Sequence, residues 1–300
     1  MIANSKVITK VIMKSVIDIG SNSVRLAIIA DGRMIFKKKI TTQMGRGLAL
    51  GGKILPEKQA ETINAIASFV VKSLSYGVKE EDIHAFATAT VRRAENGSEF
   101  VKQTLAQTGV KIDVVSEQTE ALLALTGCFG DADGAVLDVG GGSSELIVRS
   151  CGRIEYQKSL PIGAVVVTDL YKGDKASMRE YVRSVVKTYG DVPKIELLTA
   201  IGGSSSCIAS VLTRSAVERD TDGKVILKTD LDRLTDKFFT LSAEQLIDLG
   251  VEKKRTDIIA GGALILDVVL EYLGLDRMVN SESDNLIGYY NLKLRDTDET

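Results

Sequence analysis

The sequence predicts an α/β protein built from two copies of one strand-rich unit. The stretch VIDIGSNSVRL begins at Val16, and VLDVGGGSSEL follows 120 residues later, at Val136. Four pairs of residues match at this offset: Asp18 with Asp138, Gly20 with Gly140, Ser23 with Ser143 and Leu26 with Leu146. Strand and helix patterns alternate after both stretches. The 300 residues are enough for two cores of about 100 to 150 residues each.

The first unit is predicted to contain three strands followed by alternating helices and strands. Short apolar runs separated by Gly, Ser, Asn and Asp-Gly turns predict an antiparallel meander. Apolar residues take helical spacing from Pro56, a residue suited to a first helical turn. The predicted elements are strands 16–19, 24–30 and 34–41, a helix from Pro56, a strand 84–88, a helix 98–108, a strand 111–115 and a helix 117–126. The glycine-rich GRGLALGG at Gly45 is predicted to be a loop.

The second unit repeats this order and adds helices. Its predicted strands are 135–139, 145–149, 154–160, 197–201 and 277–280. Its predicted helices are 163–171, 179–189, a helix from Ser204, helical segments within 230–249, and helices 255–273 and 284–294. We therefore expect one domain over residues 1–125 and a second over 126–283, with the C-terminal helix, 284–300, packing back on the first.

Composition narrows the function classes. Apolar residues make up 44% of the chain, charged residues 26%, and the formal net charge is −2. These values fit neither a disordered chain nor a strongly basic nucleic-acid binder. Trp is absent and Tyr and Phe are few, so stacking platforms for single strands are not expected either. DNA is therefore not an expected partner.

Residue counts exclude further classes of chemistry. His84 is the only histidine, which excludes Ser-His-Asp and histidine–metal mechanisms. The three cysteines form no CxxC pair, which favours reduced thiols and the cytoplasm over a disulfide framework or a zinc site. No apolar run reaches the roughly 18 residues of a membrane span. Residues 1–13, MIANSKVITKVIM, lack the hydrophobic core of a signal peptide.

The two matching turns are candidate phosphate-binding loops. In each, a strand ends on an aspartate and the chain reverses through small residues that expose backbone N–H groups, as in known anion-binding turns. The candidate phosphate-binding residues are Gly20, Ser21, Asn22 and Ser23 in the first turn and Gly140, Gly141, Gly142 and Ser143 in the second. Asp18 and Asp138 would repel a bare phosphate, so a divalent cation between them is expected. The alternative is two ordinary Gly/Ser hairpins.

A third run of small residues, AIGGSSSCIASVL from Ala200, follows a strand and opens a helix. Gly202, Gly203 and Ser204 would then lie at a helix N-terminus, a natural anion site. The alternative is an ordinary N-cap formed by Ser204. No GxxxxGK[ST] motif is present, so the protein is not a P-loop NTPase.

Seven motifs along the chain resemble one protein family. They are DIGSNSVRL at Asp18, FATATVRRAENG at Phe86, SEQTEA at Ser116, DVGGGSSEL at Asp138, SLPIGAVVVTDL at Ser159, AIGGSSS at Ala200 and RTDIIAGGALIL at Arg255. The paired turns on a duplicated unit resemble the actin and sugar-kinase superfamily. The finer motifs resemble its exopolyphosphatase and guanosine pentaphosphate phosphohydrolase (Ppx/GppA) branch. The resemblance implies two RNase H-like, actin-like ATPase domains with an interdomain cleft.

The resemblance also implies an activity and its residues. Ppx/GppA proteins release terminal phosphate from inorganic polyphosphate or from the 5′ end of guanosine pentaphosphate, pppGpp. Glu120 matches the position of the family's catalytic glutamate, which would activate water. Arg93 resembles the family arginine that contacts the phosphoryl group, whereas its neighbour Arg92 is interpreted as a surface charge. Expected ligands are polyphosphate or guanosine penta- or tetraphosphate, with Mg²⁺ or Mn²⁺ held by Asp18 and Asp138. A homodimer is expected by analogy.

The chain departs from the family pattern near the expected site. Glu117 and Thr119 stand where the family commonly has Gly and Glu, and Gln43 takes the place of an arginine. The C-terminal SESDNLIGYY also lacks the family's usual basic residue near its glycine, at Ile287. Together these departures remove positive charge from the expected substrate path, which disfavours long polyphosphate. The remaining basic clusters, Lys37–Lys39, Arg46 and Lys253–Arg255, are interpreted as solvated faces. Two alternatives stay open: a kinase of the same superfamily, and a sensor that binds polyphosphate or nucleotide without turnover.

Overall fold

Five strands form the first sheet. The computed structural model describes residues 12–213 and 221–295, so the first eleven residues of the leader lie outside it. The strands are β1 (Met13–Ile19), β2 (Ser23–Ala30), β3 (Arg33–Thr41), β4 (Ile83–Ala87) and β5 (Ile112–Val114), in the spatial order β3-β2-β1-β4-β5. The first three pair antiparallel, and β4 and β5 run parallel to β1. The carboxyl ends of β1, β4 and β5 therefore lie at one edge.

The second sheet repeats this plan and has one additional edge strand. Its strands are β6 (Gly134–Val139), β7 (Ser144–Ser150), β8 (Arg153–Leu160), β9 (Leu198–Ile201), β10 (Val225–Leu227) and β11 (Arg277–Asn280), in the spatial order β10-β11-β9-β6-β7-β8. Strands β6 to β8 form the antiparallel meander, and β9 and β11 continue the sheet in parallel. The short β10 pairs antiparallel with β11. We call residues 13–114 the first lobe and residues 134–280 the second lobe.

The duplication extends to single residues of the hairpins. The β2–β3 turn places Asp31 and Gly32 at φ 46° and 75°, and the β7–β8 turn places Cys151 and Gly152 at φ 50° and 71°. Two successive positive φ angles define the type I′ turn that suits the twist of a two-residue hairpin. The register of strand pairing shifts between Ile28 and Ile29 in the first hairpin and between Val148 and Arg149 in the second. These two shifts are also 120 residues apart. The predicted duplicated α/β fold is confirmed.

Twelve α-helices surround the two sheets within the described residues. They are α1 (Leu48–Gly51), α2 (Pro56–Ser75), α3 (Ala89–Arg93), α4 (Gly97–Thr108), α5 (Glu117–Phe129), α6 (Ala164–Tyr171), α7 (Lys175–Val186), α8 (Gly203–Thr213), α9 (Lys228–Thr240), α10 (Ala243–Asp248), α11 (Ile259–Leu273) and α12 (Asn285–Tyr289). Most lie within a few residues of the predicted ones. None of these helices has both the length and the apolar character needed to cross a bilayer.

Three short elements depart from the prediction. The sequence pattern does not indicate α3 or β10, and the expected loop at GRGLALGG is wrong because residues 48–51 form one helical turn. Gly47 and Gly52 flank that turn at φ 76° and 69°, and the Gly52 N–H bonds back to the Leu48 carbonyl. The glycines that suggested a loop therefore act as the caps of a short helix.

The C-terminal segment packs on the first lobe, although it follows the second in sequence. Apolar side chains of α12 and of a π-helical turn, Tyr290–Leu294, share a core with β1, β2 and β4. The ring of Tyr289 stacks on that of Phe86, with 4.7 Å between centroids. Residues 296–300 of the predicted helix lie outside the described residues. The predicted domain boundary at residue 125 falls inside α5 and stays a prediction.

Candidate functional site

The two Gly/Ser turns meet between the lobes. The turns have the same internal hydrogen bond, from Gly20 N to the Ser23 carbonyl at 3.1 Å and from Gly140 N to the Ser143 carbonyl at 3.0 Å. Ser21 lies directly against the second turn: a Cβ placed on Gly142 would lie 2.6 Å from the Ser21 hydroxyl. The structure thus brings together the two loops that the sequence pairs by motif.

Not every residue of the turns faces the partner lobe. The side chains of Asn22, Ser23 and Ser143 are buried. The Asn22 amide donates to Ser23 Oγ at 3.3 Å, and the Asn22 carbonyl accepts from the backbone N–H of Gln43 at 2.9 Å. The surface between the lobes is therefore formed by Ser21, Gly141 and Gly142, while the other turn residues shape the backbone.

Asp18 is buried at the end of β1 and pairs with Arg25. The Arg25 Nε donates to Asp18 Oδ2 at 2.9 Å, and a second guanidinium nitrogen contacts the same oxygen. Burial raises the pKa of Asp18 above its usual value; Arg25 opposes this shift, and the negative charges of Asp284 and Asp138 add to it. Asp284 connects this pair to Lys37, whose Nζ lies 2.9 Å from Asp284 Oδ2.

Asp138 occupies the equivalent position in the second lobe, but its cross-strand partner is an acid. Asp18 pairs across β1 and β2 with Arg25, whereas Asp138 pairs across β6 and β7 with Glu145. Side chains at such positions lie about 4.5 to 5.5 Å apart at Cβ, where like charges are unfavourable. Burial raises the pKa of Glu145 well above its usual value, and Glu120 and Asp138 raise it further. Burial and acidic neighbours therefore favour the protonated form of Glu145.

Glu145 is a site residue that the sequence analysis missed. A signal was available, because the offset of 120 residues that aligns Asp18 with Asp138 also aligns Arg25 with Glu145. The Ser159 hydroxyl donates to Glu145 Oε1 at 2.8 Å. Burial also raises the pKa of Asp138, while Arg25 and the Asn285 amide, which donates to Asp138 Oδ2 at 3.1 Å, favour its ionised form. The cross-strand partner of the second-lobe aspartate is thus another carboxyl, where the first lobe has an arginine.

Glu120 lies in the first turn of α5 and is almost fully buried. Ser116 caps this helix by accepting a hydrogen bond from Thr119 N at 3.1 Å. Burial raises the pKa of Glu120 to about 7; Arg92 opposes this shift, while Asp138 and Asp18 add to it. The acidic groups that raise the pKa of Glu120 are thus those at the ends of β1 and β6. A carboxyl that titrates near pH 7 suits a general base.

The two arginines of α3 both face the site. Arg92 Nη1 donates to Glu120 Oε2 at 3.1 Å and to the Val115 carbonyl at 2.8 Å, so the interpretation of Arg92 as a surface charge is wrong. Arg93 Nη1 donates to the Gly142 carbonyl in the second turn at 3.1 Å. One turn of a short helix at the lobe boundary lets adjacent arginines diverge, one toward Glu120 and the other toward Gly142.

The third small-residue run lies beside Asp138. Gly202 has φ 97°, and a Cβ placed there would lie 2.7 Å from the Val139 carbonyl and 3.0 Å from Asp138 Oδ1. The guanidinium of Arg255 packs on Gly203 at the start of α8. The Ser204 side chain is buried against Gly262 of α11. Gly202 and Gly203 thus border the site, whereas the Ser204 hydroxyl is directed into the second lobe.

A cavity of about 180 Å³ opens between the lobes beside the two turns. Ser21, Gly141 and Gly142 form one side, and Arg93 contributes its guanidinium. Most of the remaining wall is apolar, from Leu48, Ala49, Ala89, Pro161 and Val166. A phosphate group in this cavity would have the turn amides, the Ser21 hydroxyl and Arg93 as donors.

The basic residues around the lobe boundary are already paired. Lys39 Nζ lies 2.8 Å from Glu252, and Arg46 contacts Asp169 at 2.8 Å. Arg46 also contacts Asp257, which accepts from Gln43 as well. These groups join the first lobe to the second. The interpretation of the basic clusters as solvated faces is therefore wrong for Lys39 and Arg46, and also for Arg255, whose side chain is only 11% exposed. Lys37 is exposed, as expected, although its ammonium group pairs with Asp284.

Carboxylates dominate the site, yet they do not form a complete metal cage. In residues 12–213 and 221–295, no group of three or more His, Cys, Asp and Glu is arranged to hold a metal ion. The negative charge of Asp138 nevertheless contributes to the raised pKa of Asp18. Two carboxylates suit Mg²⁺ when substrate phosphates complete its coordination.

Fold and site together define an actin-like α/β protein with two opposed Gly/Ser turns. A model of the Ppx/GppA phosphatase family matches residues 26–283. This match covers most of both lobes. The chain therefore belongs to the Ppx/GppA phosphatase family.

Three curated relatives show the range of proteins that this chain is similar to. The bifunctional 3-dehydroquinate synthase/phosphatase of Fusobacterium nucleatum is 28% identical over 92% of this chain and 46% of its own length. Exopolyphosphatase 1 of Mycobacterium leprae is 26% identical over 87% of this chain and 83% of its own. The guanosine-5′-triphosphate,3′-diphosphate pyrophosphatase of Pseudoalteromonas translucida is 25% identical over 88% and 56%. The chain thus spans about half the length of the first and third relatives.

A solved structure supports the fold. The Ppx/GppA family member of Aquifex aeolicus superposes with a TM-score of 0.77 at 22% identity, covering 97% of this chain and 100% of that one. The shared architecture includes both lobes, which agrees with the predicted actin-like class.

Proposed function

We propose that this protein hydrolyses phosphoanhydride bonds and releases terminal orthophosphate from a short inorganic polyphosphate or from the 5′ end of pppGpp. The observation that carries the proposal is that the two Gly/Ser turns meet beside α3, where Thr90 bonds to Ser21 and Arg92 binds Glu120, a buried carboxyl whose pKa is raised to about 7. The family membership and the exopolyphosphatase and pyrophosphatase relatives support the same reaction class.

The proposed chemistry is an in-line displacement at the terminal phosphorus. Ser21, the Gly141 and Gly142 amides and Arg93 bind the terminal phosphate. Glu120 accepts a proton from water as the water oxygen forms a bond to phosphorus. The bond to the bridging oxygen breaks, and the shortened chain, or guanosine tetraphosphate, leaves with that oxygen. Positioning and charge neutralisation supply most of the rate enhancement in such reactions.

Asp18 and Asp138 are the residues that would hold Mg²⁺ or Mn²⁺. The ion would neutralise phosphate charge in the transition state.

Removal of divalent ions with EDTA is expected to lower phosphate release at least tenfold, and added Mg²⁺ or Mn²⁺ should restore it. Asp138→Asn should raise the metal concentration needed for half-maximal rate, whereas Asp131→Asn, an exposed control, should not. An unchanged metal requirement in Asp138→Asn would exclude this assignment.

The paired basic residues favour a short substrate over a long one. A polyphosphate track needs free cationic side chains along the cleft. Here Lys37, Lys39 and Arg46 are engaged by carboxylates of the second lobe and of the segment before α12.

The test of substrate choice is phosphate release from tripolyphosphate, long polyphosphate, pppGpp and ATP by one preparation, with Glu120→Gln as the control. Release from the short substrates supports the proposal. Binding without release would indicate a sensor, and transfer from ATP to an alcohol would indicate a kinase.

The rate of phosphate release is expected to depend on the ionisation of Glu120. Because the base must be deprotonated, and its pKa is raised to about 7, kcat/KM should rise with pH and level off above that value. Below that pKa, kcat/KM should fall about tenfold for each unit by which the pH is lowered. A pH–rate profile from pH 5 to 9 tests this. A profile that is flat down to pH 5 would show that a carboxyl with an ordinary pKa, or another group, acts as the base.

A further inference from the structure

Glu117, the first residue of α5, contacts both arginines of α3. Its Oε1 accepts a hydrogen bond from Arg93 Nη2 at 3.1 Å and lies 3.5 Å from Arg92 Nη2. The Glu117 side chain is 38% exposed, compared with 30% for Arg93 and 19% for Arg92. The carboxylate therefore approaches the guanidinium groups from the solvent side.

Arg93 faces the cavity where the phosphate is expected. Its Nη1 is used by the Gly142 carbonyl, and its Nη2 is used by Glu117. A guanidinium presents its donors in one plane as a fork, so a carboxylate on one edge takes the directions that a phosphate oxygen would use. Glu117 and a substrate phosphate are thus alternative partners of the same nitrogen.

Electrostatic repulsion adds to this competition. A terminal phosphate that contacts Arg93 would also lie near the Glu117 carboxylate, and two anions sharing one cation repel each other. The pair is partly exposed, and such ion pairs are weak. The carboxylate can therefore be displaced by a multiply charged ligand, but displacement costs affinity.

We propose that Glu117 is an internal competitor for the anionic substrate: its carboxylate binds the Arg93 guanidinium and must release it before a phosphate group can bind there. Glu117 is thus a residue that sets substrate affinity through Arg93. The proposal rests on the proposed function for the place of the phosphate, but it concerns binding and does not require turnover.

The test measures tripolyphosphate binding by isothermal titration calorimetry in a Glu120→Gln background, where hydrolysis is expected to be about 10²- to 10⁴-fold slower. Adding Glu117→Gln is expected to lower Kd about threefold to tenfold. Glu99→Gln removes the same charge from α4, where Glu99 contacts Gln103, and should leave Kd unchanged. With Arg93→Ala also present, Glu117→Gln should no longer tighten binding, since the shared partner is gone.

Kinetics of the Glu117→Gln single variant provide a second readout. If Glu117 competes with substrate, KM falls while kcat stays within about twofold. If Glu117 instead holds Arg93 in its working position, KM rises, and the proposal is overturned. An equal decrease in Kd with and without Arg93 would also overturn it, because that result indicates a general field effect. Tighter tripolyphosphate binding in a protein that hydrolyses none of the phosphoanhydrides tested would retain this inference and reject the proposed hydrolase activity.

Discussion

Replacing Glu120 with Gln is expected to lower kcat for phosphate release by about 10²- to 10⁴-fold, the usual contribution of a positioned general base. Gln keeps the shape of the side chain and still accepts the hydrogen bond from Arg92, so substrate binding should change little. The measurement is steady-state phosphate release from tripolyphosphate or pppGpp at pH 8. Glu99→Gln, which removes an acidic charge elsewhere on the first lobe, should retain wild-type kcat.

The same substitution is expected to stabilise the fold at pH 8. The pKa of Glu120 rises from an ordinary 4.5 to about 7 on folding, so the folded state binds the proton more tightly than the unfolded state. Unfolding free energy therefore decreases as pH rises from 4.5 to 7, and the full cost of ionisation is present above 7. Gln carries no charge and avoids this cost, which is on the order of 1 to 3 kcal/mol.

Thermal unfolding at two pH values measures this effect. The Tm of Glu120→Gln should exceed that of the wild type by several degrees at pH 8, and the difference should disappear near pH 4.5. Phosphate release that persists unchanged in the variant would assign the base to another group. A Tm difference that is the same at both pH values would show that burial of the Glu120 charge is not the cause.

The fold was predictable because its signals are local or repeated. Apolar periodicity identifies the strands and long helices, and Asp-Gly at residues 31–32 identifies the first hairpin. The offset of 120 residues then transfers this information to the second lobe. The short helix α3 lacks such a signal, since five residues provide little more than one turn of periodicity.

The contacts of the site residues were less predictable, because they join positions far apart in the chain. Arg92 and Glu120 are 28 residues apart, and Arg46 and Asp169 are 123 apart. No periodicity relates them; only the packing of α3, α5 and α6 brings them together. The sequence therefore identifies which residue types carry charge near each motif, while tertiary structure decides which charges are paired and which face the cavity.

The duplicated hairpins differ in charge, and this difference has a chemical consequence. In the first lobe Arg25 neutralises Asp18, whereas in the second lobe Glu145 adds a second acid beside Asp138. The observed asymmetry places two carboxyl groups, Asp138 and Glu145, side by side at the second turn, and the charge of Asp138 adds to the raised pKa of Glu120. Duplication thus provides two Gly/Ser turns, and divergence at one cross-strand position gives their aspartates different partners.

Gly163→Ala is expected to lower kcat/KM by more than tenfold, because it displaces the second turn. Gly163 precedes α6, whose first N–H groups bond to this turn: Ala164 N to the Gly140 carbonyl at 2.9 Å and Val165 N to the Gly141 carbonyl at 3.0 Å. A Cβ on Gly163 would overlap the backbone carbonyl of Gly141 and lie 2.6 Å from Gly142 N. Backbone atoms cannot move aside as a side chain does, so the turn itself must shift.

The conformation of Gly163 makes this prediction a test of packing alone. Its φ of −146° and ψ of 168° are extended values that alanine adopts without strain, so any loss arises from the contact with the second turn. We expect about 1 to 3 kcal/mol of destabilisation together with the activity loss. Gly51→Ala, with no atom within 4 Å of the added methyl group, should change neither. If Gly163→Ala does not fold, Gly142→Ala provides a milder displacement of the same turn, because the nearest atoms to its added methyl group belong to the side chains of Ser21 and Ala89 and not to the backbone. Wild-type kcat/KM in a folded Gly163→Ala protein would mean that the position of Gly141 and Gly142 does not matter for phosphate release, and the second turn would lose its proposed role.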